Sequence, residues 1–76
     1  MKEVLMDYAV LVGKIKNKYK THDKFAKAMC MSKSGLSAKL NNRRDFTSDE
    51  IRRACELLNI SDADIPAIFF TRKVAI

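Results

Sequence analysis

Leu11, Ile15 and Tyr19 recur at intervals of four, while lysines occupy positions 14, 16, 18 and 20 between and beside them. That spacing predicts a first helix from about Tyr8 to Tyr19, with Asp7 as its N-cap and one apolar stripe turned inward. Thr21 can cap a second helix in which Asp23 suits the positive N-terminal end and Phe25, Ala26, Ala28 and Met29 supply the apolar face. Ser32 can cap a third helix from Lys33 to about Leu40. Only Cys30 to Ser32 then connects the second and third helices, the length of a helix-turn-helix. Thr47 and Glu50 form a Thr-x-x-Glu capping box ahead of a fourth helix that aligns Ile51, Ala54, Cys55 and Leu58 and should end at Asn59. Ser61 and Asp64 suggest a further turn, and Pro66 predicts a break near Ile65 with a short helical piece from Pro66 to Phe70. Residues 71–76 fit a strand, a frayed tail or part of an interface. The expected fold is all-α, a compact bundle of four to five helices.

The third helix is unusual in what it leaves unburied. With Leu36 at zero on a helical wheel, Leu40 falls at about 40°, whereas Ser37, Asn41, Ser34 and Ala38 fall at about 100°, 140°, 160° and 200°. A face of small, hydrogen-bonding side chains flanked by Lys33, Lys39, Arg43 and Arg44 suits contact with a partner better than burial in a core. Gly35, which costs about 1 kcal/mol against Ala inside a helix, fits either a close backbone approach or simple tolerance.

Charge sharpens this picture. The chain has 76 residues and a net charge of +6. Residues 14–44 hold ten Lys or Arg against one acid, Asp23, whereas residues 45–76 hold four bases against six acids. The basic half contains the third helix, so an anionic partner such as a phosphate backbone is expected, although a charge run can also be only a solvated face. The length fits one domain, residues 1–76, with its core in about 8–70 and a tail at 71–76.

Composition excludes several function classes. No apolar run approaches the roughly 18 residues of a membrane span, and the N-terminus lacks a signal-peptide pattern, so a cytoplasmic protein is expected. Cys30 and Cys55 each fall in a helical, apolar context and read as small buried hydrophobes. A zinc site would need His22, the one histidine, with both cysteines and an acid, and no ligand pair has the short spacing such sites favour. Without a Gly-rich phosphate loop or a nucleophile paired with a base, no enzyme, cofactor or small-molecule substrate is expected.

The order of residues from His22 to Asn42, with its Phe25-Ala26, Leu36-Ser37 and Lys39-Leu40-Asn41 pairings, resembles the helix-turn-helix of lambda repressor-like and Cro-like (XRE-type) phage regulators. The resemblance extends through Glu50–Ile60 to Phe69-Phe70. It implies that Phe25 and Leu36 pack between the helices, that Ala26 is small where they approach, and that Met29 and Met31 bracket the turn. Cys30 departs from it, standing where the family usually has Gly, and so does His22, where Gln is frequent.

The resemblance implies a sequence-specific regulator of transcription that binds double-stranded operator DNA as a homodimer, a Cro-like repressor acting by occupancy, with half-sites about 34 Å apart. Carried over to this chain, Lys33, Ser34, Ser37 and Ala38 would meet base edges. His22, Lys39, Asn41, Asn42, Arg43 and Arg44 would meet phosphates. Ile68, Phe69, Phe70, Val74 and Ile76, with Ile65 nearby, offer a self-association patch, unless Ile68 or Phe69 closes the core. A chain ending near residue 76 favours a Cro-like regulator over a cleavable repressor. The alternative is an antirepressor or other protein-binding module that uses the basic face or the apolar C-terminal segment to hold another protein.

Overall fold

The computed structural model describes residues 5–72. Five α-helices follow one another: α1 Ala9–Tyr19, α2 His22–Ala28, α3 Lys33–Leu40, α4 Ser48–Leu58 and α5 Ile65–Phe69, with a 3-10 turn at Asp62–Asp64 leading into the last. The all-α bundle read from the periodicity is the fold observed.

Side-chain caps set most of the starts. The Thr21 hydroxyl accepts from Lys24 N–H, and the Ser32 hydroxyl accepts from Gly35 N–H at 3.0 Å. Both members of the Thr47–Glu50 capping box are formed: Thr47 Oγ1 accepts from Glu50 N–H, and Glu50 Oε1 accepts from Thr47 N–H. Each such cap contributes about 1 kcal/mol. α1 differs from expectation by one position. Tyr8 is the boundary residue, because Asp7 Oδ1 reaches Ala9 N–H at 2.9 Å rather than a donor deeper in the first turn. α4 closes through Asn59 in the left-handed conformation, φ 59°, a region that Asn tolerates better than most residues. The break expected near Ile65 is instead a change of pitch. The 3-10 turn passes directly into α5, and Pro66 is accepted because its missing N–H falls in the first turn, where no intrahelical partner waits.

Leu11, Ile15, Phe25, Ala26 and Leu36 are wholly buried, joined by Met29, Ala54, Cys55, Leu58 and Ile60. Burying each large side chain of this kind is worth about 1.5–3 kcal/mol. Tyr8, Phe46 and Phe69 form a run of edge-to-face rings, with centroids 5.4 and 5.5 Å apart, that carries the core across to α5. Ile68 and Phe69, expected to form an interface, belong to this core, at 3% and 2% exposed. They correct the self-association patch: Phe70 remains exposed, Ile65 is half-buried, and Val74 and Ile76 lie outside the described residues.

The first and last described segments meet. Met6 and Arg72 form an antiparallel bridge, and Asp7 N–H donates to Thr71 C=O at 2.7 Å. The start of the tail is thus strand-like at Arg72.

Candidate interaction surface of the helix-turn-helix

α2 and α3 are joined by Met29 to Ser32, and the turn is built from three backbone bonds. Met29 N–H donates to Phe25 C=O, Cys30 N–H to Lys27 C=O, and Met31 N–H to Ala26 C=O. Ala26 is fully buried and small enough to let the returning chain reach its carbonyl. Cys30 takes φ 59°, the left-handed geometry for which glycine carries no steric penalty, so a residue with a Cβ holds a backbone conformation that favours glycine. A further bond braces the turn from outside: the Arg53 guanidinium, on α4, donates to Met29 C=O at 3.0 Å.

Gly35 has a local explanation. A Cβ there would stand 3.0 Å from Ser32 Oγ, the atom that caps its own helix. The glycine lets the cap approach closely.

On α3, Lys33, Ser34 and Ser37 are exposed and Ala38 is half-buried, so the four residues expected to read bases share an accessible face around the buried Leu36. The Ser34 hydroxyl lies 3.4 Å from that of Ser32, at the helix start.

The residues expected to meet phosphates divide differently. Arg43 and Arg44 are exposed, with their backbone N–H groups both directed to Ala38 C=O, and neither has an acidic partner among the described residues. Lys39 turns the other way. Its side chain is 9% exposed, forms an ion pair with Glu50, and its Nζ stands 6.0 Å from the Phe46 ring centre. Partial burial pushes the Glu50 carboxyl upward, but the Lys39 ammonium and the Thr47 N–H outweigh it and hold Glu50 below the ordinary carboxylate range. Lys39 is therefore a structural cation, because a neutral partner at this place would leave Glu50 charged and poorly solvated.

The Asn41 amide nitrogen is occupied by Ser37 C=O at 2.9 Å and Ser37 Oγ at 3.2 Å. The Asn42 side chain is taken up by the backbone of Met6, donating to its C=O and accepting from its N–H. His22 is half-buried at the first position of α2, with Nε2 shut away from solvent and without a hydrogen-bond partner. Of the six, only the two arginines present outward a cation with no acidic partner among the described residues.

Sequence reasoning missed three contributors. Phe46 carries the aromatic run, Glu50 neutralises Lys39, and Arg53 braces the turn. The capping box exposed Glu50 as a helix start, but a pair eleven positions apart across a loop has no periodic signature. His22, Cys30 and Cys55 are not gathered into a metal-ligand group among the described residues, and no helix there is long and apolar enough to cross a membrane.

The chain is similar to the modulator of repression (MOR) of the temperate bacteriophage TP901-1 from Lactococcus lactis, known from a solution structure. The two share 41% identity and superpose with a TM-score of 0.78, over 92% of this chain and 95% of that one. Comparison with curated proteins finds no match. Residues 4–72 match the family model described as "Protein of unknown function (DUF739)", and the chain belongs to that family.

Proposed function

We propose that this chain is a phage regulator that modulates repression by holding a repressor protein, with no catalytic step. One observation carries the reading: the similarity to a modulator of repression runs across nearly the whole of both chains, at 41% identity. The surface geometry supports it. A DNA-binding helix-turn-helix fixes its register through several phosphate contacts around the recognition helix, and here Lys39, Asn42 and the Asn41 amide nitrogen are committed internally. The accessible face of Lys33, Ser34 and Ser37 then offers one cation and two hydroxyls, a set that can dock on another protein.

A repressor from the same phage or prophage, bound to a labelled operator duplex, tests this directly. Adding the protein should change repressor occupancy in proportion to the amount added, while the protein alone leaves the duplex unshifted. A sequence-specific shift by the protein alone would overturn the reading in favour of the second.

The second reading is an operator-binding, Cro-like homodimer, favoured by the exposure of Lys33, Ser34 and Ser37 on α3 and of Arg43 and Arg44 just beyond it. Selection from randomised duplexes at about 150 mM salt, where non-specific phosphate binding is weak, should then enrich a palindrome, and Lys33→Ala should relax its base preference.

A further inference from the structure

Asn42 lies just beyond α3 with φ 64°, and its side chain reaches across 36 positions of sequence to Met6. Its Oδ1 accepts from Met6 N–H at 2.8 Å, and its Nδ2 donates to Met6 C=O at 2.9 Å. A carboxamide offers one acceptor and one donor at the spacing of a peptide group, so Asn42 pairs with Met6 much as a neighbouring strand would. Residues 71–72 pair with the same short stretch, through the Met6–Arg72 bridge and the Asp7–Thr71 bond. The same Asn42 backbone closes α3: its N–H donates to Lys39 C=O, and the next residue, Arg43, donates to Ala38 C=O at 2.8 Å. Few residues serve both purposes. Glycine accepts the left-handed backbone but has no amide, aspartate lacks the donor, and most other side chains are strained at this φ.

We propose that Asn42 is a latch that makes the terminal ribbon and the end of α3 a single cooperative unit, so that drawing the ribbon away loosens the backbone displaying Arg43 and Arg44. The coupling is independent of whether the surface meets a repressor or DNA. Because the two segments share the latch, the effect must run equally in both directions. Release of the ribbon must loosen α3, and release of the α3 end must loosen the ribbon.

Amide hydrogen exchange of the full chain, followed by NMR, tests this from both sides. Met6→Pro removes the N–H that Asn42 Oδ1 accepts. Exchange at Asn41 and Arg43 should rise by roughly three- to tenfold relative to the core amides of Leu11 and Ile15, the loss expected for one or two hydrogen bonds. Asn42→Gly keeps the backbone geometry and should raise exchange at Asp7 by a comparable factor. Met6→Ala keeps both backbone groups and should leave the Arg43-to-core ratio at the wild-type value. Unchanged exchange at Arg43 in Met6→Pro overturns the proposal, as does an equal effect from Met6→Ala, which would assign the coupling to side-chain packing. If Met6→Pro does not fold, Asn42→Gly decides alone: unaltered protection of Asp7 rejects the latch.

Discussion

The Lys39 ammonium and the Glu50 carboxylate form an ion pair that ties the end of α3 to the first turn of α4. Their side chains are 9% and 25% exposed, between the solvent-screened pairs that contribute little and the buried pairs whose disruption costs several kcal/mol. Lys39→Met keeps the apolar stem beside Phe46 and removes the charge. It should lower unfolding stability in urea by about 1–3 kcal/mol, between those limits. Combining it with Glu50→Gln should recover part of the loss, because no unpaired charge then remains and Gln still serves the capping box. Strict additivity of the two changes would show that the pair is not coupled.

The same carboxylate predicts a pH dependence. Glu50 is held below its ordinary pKa by Lys39 and Thr47, in spite of its partial burial. A group whose pKa is lowered by folding contributes stability above its unfolded value and loses it as the pH falls through the folded one. The stability difference between the wild type and Glu50→Gln should therefore be flat from pH 7 to 5 and shrink below about pH 4.3, the ordinary value for Glu. A difference that persists unchanged to pH 2.5 would assign the effect to packing.

Most of the fold was legible because its signals are local. Thr21, Ser32 and Thr47 mark helix starts within four residues of the groups they bond, and the Leu11–Ile15 repeat shows its buried stripe within two turns. The face of Lys33, Ser34 and Ser37 was legible for the same reason: it is what remains of a short helix once Leu36 is buried. The fate of the neighbouring polar residues was not. Whether Lys39 and Asn42 face a partner or the protein itself depends on Glu50 and Met6, which reach them across loops and leave no mark in the periodicity. Phe69 looked surplus because Phe46, its link to Tyr8, lies in a loop outside any periodic stripe.

The turn between α2 and α3 offers a stabilising substitution. Cys30, expected as a small buried hydrophobe, is instead exposed in the turn and holds φ 59°, where a Cβ crowds the backbone and glycine does not. Cys30→Gly should raise stability by about 0.5–1 kcal/mol, the steric relief being partly offset by the greater freedom of glycine in the unfolded chain. Cys30→Val, β-branched at the same φ, should lower it. Thermal unfolding of the two variants beside the wild type reads the sign directly, and a loss of stability in Cys30→Gly would show that the thiol makes a favourable contact outweighing the strain.

The two thiols should also differ in reactivity. Cys30 is open to solvent, whereas Cys55 packs into the core face of α4 at 9% exposed. Burial pushes the Cys55 thiol up, and the negative charges of Asp62 and Glu56 push it further, so little of the reactive thiolate is present near neutral pH. With a chromogenic disulfide at pH 7.5, one equivalent should react quickly and the second only at the rate at which α4 opens. Cys30→Gly should abolish the fast phase and leave the slow one. Denaturant should merge the phases in the wild type, since unfolding removes both the burial and the fixed proximity of the acids. Two equal rates in the native protein would mean that Cys55 is reached without opening, against its place in the core.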